Sequence, residues 1–184
     1  MVEIDKNELD TFMRSSLESA MGQLEDSGET SVAIFVRPRD SSTLLENTDL
    51  PPDTPPPMAV IPYQGGSTST WFNVVGAFVQ EFGAQFCVMI AESWWAEKWG
   101  GELEPNYRVR DDPNRKECIA IQGIQYDASG FIAKEVTFMQ PFERFERPDG
   151  DGDDIVYLDL QTMTSEDGEC RSALADVTAR QDLI

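Results

Sequence analysis

The sequence contains no histidine. That absence removes the Ser-His-Asp triad, the Cys-His dyad and every histidine-ligated metal centre from the chemistry open to this chain. What remains is carboxylate-held metal, paired carboxylates, or a lysine, tyrosine or serine acting as base. Positive charge is scarce as well. Lysine occurs only at Lys6, Lys98, Lys116 and Lys134, and 14 Lys plus Arg face 34 Asp plus Glu, a formal net charge of −20. Such a surface repels nucleic acid and anionic membranes, and attracts cations and basic proteins. Solubility or adaptation to a salty cytoplasm explains the same charge without any partner. Cysteine is limited to Cys87, Cys118 and Cys170, an odd and widely spaced set that forms neither a disulfide framework nor a zinc motif. The longest apolar run, Phe86 to Ala91, is far too short to span a bilayer. The acidic N-terminus shows no basic or apolar segment of an export signal. The expectation is a cytoplasmic protein without membrane contact or direct nucleic-acid contact.

The 184 residues suit one domain. Leu9, Phe12, Met13, Leu17, Ala20, Met21 and Leu24 recur at three- and four-residue spacing, which predicts a helix over 5–26. Asp5 and Glu8 suit its start, and Gly28 suits its exit. The β-branched and aromatic stretch 30–37 predicts a strand closed by Pro38. Residues 38–57 contain Pro51, Pro52, Pro55, Pro56 and Pro57, a composition for an extended loop and not for a central strand. A short strand is expected at 58–63, and a helix at 69–83 with Trp71, Phe72, Val75, Phe78, Val79 and Phe82 on its apolar face. Strands follow at 85–96, 116–127, 131–147 and 154–161, with Asp127 to Gly130 as a hairpin turn. Residues 162–184 read as a polar tail, with a turn at 164–169 and a short helix at 170–180. Consecutive strands without a βαβ rhythm favour antiparallel pairing. The expected fold is therefore α+β: an antiparallel sheet of five to six strands, with two helices packed on one face, within 1–161.

Four segments invite chemical readings. Gly65 to Thr70 (GGSTST) precedes a helix and offers backbone N–H groups to an anion. A connector with a Ser/Thr helix cap accounts for the same residues. Asp149, Asp151 and Asp153 alternate with glycine like the opening of a calcium loop. The sixth position is Asp154 and the twelfth is Leu160, where such a loop needs Gly and Glu. An acidic turn fits, with weak Ca2+ or Mg2+ binding at Asp149, Asp151 and Asp153 as the metal alternative; nothing else calls for a cofactor. Trp94, Trp95 and Trp99 crowd one strand end. Trp94 and Trp95 must point to opposite faces, and tryptophan is enriched as an interface anchor, so these three residues form the candidate partner-binding site. Arg108 to Glu117 reads as a charged connector. A carboxylate–metal site would require Glu92, Asp111, Asp112 and Glu117 to converge in one pocket.

The Glu92-Ser-Trp-Trp95 strand, followed by Asp112-Pro-Asn-Arg-Lys-Glu117 leading into an apolar strand with a glycine, resembles small uncharacterised proteins of bacteria and their phages. The resemblance covers about residues 85–130. It implies a phage or mobile-element origin and no catalytic residues, since that group has no established activity. The leading expectation is a non-enzymatic accessory protein that binds another, basic, protein; homo-oligomers are compatible with the same surface. The alternatives are an acidic mimic of nucleic acid that blocks a DNA- or RNA-binding host protein, and a carboxylate–metal-dependent hydrolase.

Overall fold

The computed structural model describes residues 8–39, 58–95, 112–148, 150 and 152–166. Along the chain lie α1 (Glu8–Ser27), β1 (Ala33–Arg37), β2 (Ala59–Pro62), α2 (Thr68–Phe82), β3 (Phe86–Trp95), β4 (Lys116–Tyr126), β5 (Ile132–Glu146), β6 (Asp153–Tyr157) and β7 (Gln161–Glu166). The strands form one sheet in the order β2-β1-β3-β4-β5-β6, with β7 also paired to β5. Every pairing is antiparallel. The α+β class therefore holds, with seven strands among the described residues. The expected Asp5 cap, most of the 38–57 loop and the 170–180 helix lie outside the described residues.

The helices do not share a face. The stripe Leu9, Met13, Leu17, Ala20 and Leu24 of α1 is buried against Phe86, Val88, Ile90, Ile119, Ile121 and Phe138. The intervening residues Ile34, Val36, Cys87, Ile124 and Tyr126 point the other way and pack on Val75 and Val79 of α2. The expectation of two helices on one face is thus corrected to one helix on each. The physical cause lies in β3 itself: Phe86, Cys87, Val88, Met89 and Ile90 are apolar in both parities, so both faces of that strand must be covered. α1 approaches the sheet closely at Gly123, where a Cβ would overlap the Met13 sulfur and lie 3.0 Å from Leu9 Cδ1.

The 15-residue β5 is long enough to pair with two shorter strands on its outer side. Phe142 to Glu146 pair with β6, and Lys134 to Met139 pair with β7. The break between β6 and β7 faces Pro141. The Pro141 carbonyl accepts a bond from Leu158 N at 2.9 Å, so the N–H that proline lacks would also have faced this edge. The buried Gln140 amide supplies a donor in its place, reaching Leu158 O at 2.5 Å. β7 itself corrects the sequence expectation of a turn at 164–169 inside a polar tail. It contains a single apolar side chain, Met163, which is 53% exposed. Main-chain pairing with β5 holds this strand, and burial does not, so it carries no hydrophobic alternation to read.

Candidate interaction site

β3 and β4 run in register to their common end, where Trp94 lies opposite Glu117 and Trp95 opposite Lys116. The pleat sends the two indoles to opposite faces, as expected. Trp94 is 43% exposed, and the Arg115 guanidinium lies 4.7 Å from its ring centroid. Arg115 is positioned by a turn built on Asp112: Asn114 N donates to Asp112 Oδ1 at 2.8 Å, and Arg115 N donates to Asp112 O at 3.2 Å. Trp95 is half-buried and walls a cavity of about 730 Å3 shared with Lys116, Pro141, Leu158, Asp159 and Gln161. Lys116 Nζ is engaged by Glu143 at 3.1 Å. The cavity thus combines an aromatic wall, a neutralised ion pair and the Asp159 carboxylate at its rim. Trp99 lies outside the described residues.

A second polar cluster sits on the α1 face. Arg144 Nε donates to Glu117 Oε2 at 2.9 Å, its Nη2 lies 3.7 Å from Glu92 Oε2, and its Nη1 donates to Gly28 O at 2.8 Å. The guanidinium also covers the Phe142 ring at 5.1 Å. Thr30 completes the cluster, with its N–H 2.6 Å and its hydroxyl 3.2 Å from Glu92 Oε1. Nearby, the Tyr157 hydroxyl donates to Met21 O at 3.0 Å. Burial, reinforced by the Glu25 carboxylate, pushes this phenol up to about 12. Glu92 and Glu117 therefore do converge, but upon a guanidinium that bridges them and offsets part of their charge. The arrangement locks the exit of α1 onto β3, β4 and β5. Asp112 is spent on its own turn and Asp111 lies outside the described residues. Sequence reasoning passed over Arg144. The available signal was a lone cation continuing the alternation Val136, Phe138, Gln140, Phe142 on the helix-covered face.

Of the three candidate metal ligands only Asp153 is described; Asp149 and Asp151 are not. Asp153 is exposed and sits opposite Glu146 at the start of β6. The intervening hairpin places Gly150 at φ 74° and Gly152 at φ 90°, which favours glycine at both positions. Arg147 N donates to Gly152 O at 3.1 Å and closes the turn. Among the described residues no group of three or more Cys, Asp or Glu side chains is placed to hold a metal. At the start of α2, Ser67 occupies the N-cap position, but its side chain makes no capping hydrogen bond, against expectation. Its carbonyl instead accepts from Thr70 N at 3.1 Å and Trp71 N at 3.2 Å. Cys87 and Cys118 are fully buried, and burial pushes their thiols up to about 12 and about 11, which leaves them protonated and unreactive. No described helix is long and apolar enough to cross a membrane. No protein-family model, no curated protein and no solved structure matches this chain.

Proposed function

We propose that this chain is a non-enzymatic accessory protein that binds another protein through the Trp94–Trp95 end of its sheet, in the cytoplasm. The observation that carries the reading is the pair of adjacent indoles at one strand end. One is open to solvent under Arg115, and the other walls a cavity. Tryptophan joins a large apolar surface to a hydrogen-bond donor, which is why it anchors interfaces. A net charge of −20 would draw a basic partner toward the chain as a whole. The likeness of residues 85–130 to bacterial and phage proteins supports a phage or mobile-element origin. The test is capture of the partner from the native host by the wild-type chain and by the Trp94→Ala/Trp95→Ala variant, with circular dichroism as the control for folding. Truncating one anchoring tryptophan costs about 2 kcal/mol, roughly a 30-fold loss of affinity. The double variant is expected to release the partner. Retention at wild-type level would refute the site.

One observation favours the acidic-mimic reading. Arg14, Arg37, Lys116, Arg144 and Arg147 are each engaged by a carboxylate of the same chain, which leaves the acidic excess to face outward. A mimic's complex would weaken by orders of magnitude as salt rises, because its contacts are charge–charge. A complex anchored by indoles would lose little.

A further inference from the structure

We infer that the outer edge of β7, with the Trp95 cavity at its head, is a docking groove for an extended basic segment of a partner protein, which adds to the sheet as a further strand. The inference rests on the protein-binding reading above and names the partner's chemistry. Each sheet edge exposes a row of main-chain donors and acceptors, and proteins blunt such edges with charge, proline or brevity. β2 spans only four residues and ends in Pro62. β6 carries exposed Asp153 and Asp154. β7 has neither device over Gln161 to Thr164: Thr162, Met163 and Thr164 are exposed and uncharged. Among the described residues β7 pairs only with β5, and no described strand pairs with its other edge.

Charge selects the occupant. Residues 152–166 include Asp153, Asp154, Asp159 and Glu166 and no Lys or Arg. A second copy would set carboxylate against carboxylate, whereas a basic strand complements the edge. The cavity lies at the start of β7, next to Asp159 and Gln161. The Trp95 indole face and the Asp159 carboxylate suit an arginine or lysine side chain. The register places Gln161 opposite Met139 and Met163 opposite Thr137, on the sheet face that Trp95 also occupies. An added strand would rest an apolar side chain against Met163, so the fitting segment alternates basic and apolar residues.

The test uses the whole protein, 15N-labelled, and a capped peptide of alternating Arg and Val. Controls are the Glu/Val counterpart and two Arg/Val peptides N-methylated at alternate residues, one in each register. Docking predicts slowed amide exchange at Thr162 and Thr164, whose N–H groups face the outer edge, and shifted resonances from Thr162 to Thr164. It predicts no binding of the Glu/Val peptide, and a loss of at least about tenfold on N-methylation in one register only, because that register alone points its donors at β7. Trp95→Ala and Asp159→Lys should each weaken binding by roughly tenfold; the second, at an exposed position, guards against a folding defect in the first. Equal binding by both N-methylated peptides, with shifts spread over the acidic surface, would mean adsorption by charge alone. That result overturns the edge while leaving the tryptophan site intact. Absence of binding overturns it too, as does concentration-dependent self-association that protects β7. Failure of the tryptophan site itself would appear separately, as partner capture indifferent to Trp94 and Trp95.

Discussion

Replacing Arg144 with alanine is expected to destabilise the protein by about 2–4 kcal/mol, the largest effect of any single charged residue described above. The side chain serves three acceptors: Glu117, Glu92 and the Gly28 carbonyl at the exit of α1. Removing it leaves two carboxylates facing each other on a surface mostly screened from water. Removing one partner of a buried ion pair costs about 3–5 kcal/mol, and the lower range applies here because the side chains of Arg144, Glu92 and Glu117 retain 23%, 31% and 33% exposure. Lost cover over Phe142 adds to the penalty. Urea unfolding followed by circular dichroism measures the change. Coupling provides a sharper signature. Adding Glu117→Gln to the Arg144→Ala variant should recover part of the loss, since it removes one of the two stranded charges. If Arg144→Ala changes stability by less than about 0.5 kcal/mol, within the range of ordinary surface substitutions, the cluster is an incidental surface feature and not the lock on α1.

Valine at Gly123 should cost about 1–3 kcal/mol, even though valine prefers strands and glycine weakens them. The reason is the approach of α1. The added Cβ would strike the Met13 sulfur and press on Leu9, and both side chains are buried with little room to retreat. Met13→Ala alone should also destabilise, by about 2–5 kcal/mol, because it opens a cavity in the main core. In the double variant the valine can fill part of that space. Its loss should therefore be clearly smaller than the sum of the single losses, as denaturant midpoints will register. Simple additivity would mean that the helix sits farther from β4 than the structure places it.

Local pattern exposed most of this fold and little of its long-range detail. The stripe from Leu9 to Leu24 specified α1, and the turn at Asp127 to Gly130 specified the β4–β5 hairpin. There the Asp127 carboxylate accepts from Ser129 N at 2.8 Å and Phe131 N at 3.0 Å. These signals depend on neighbours within a few residues. The placement of the helices depends on which parity of each strand is apolar, and the double run from Phe86 to Ile90 held that information. β7 was illegible because its strand character comes from pairing with a distant segment, and only Met163 among its exposed side chains is apolar. At the candidate site, the opposite orientation of Trp94 and Trp95 followed from the pleat alone. The stacking of Arg115 on Trp94, the convergence of Glu92 and Glu117 on Arg144, and the cavity beside Trp95 all require the register of several strands, which no single stretch encodes.

The most direct measurement is amide hydrogen exchange on the complex formed with the host partner, compared with the free protein. Slowed exchange should concentrate at Trp94, Trp95 and Lys116 and along β7, while the amides of α2 keep their free-protein rates. Protection confined to α2 and the Gly65–Gly66 turn, with the ends of β3 and β4 and all of β7 unchanged, would place the partner elsewhere and contradict the assignment of this sheet end as the binding surface.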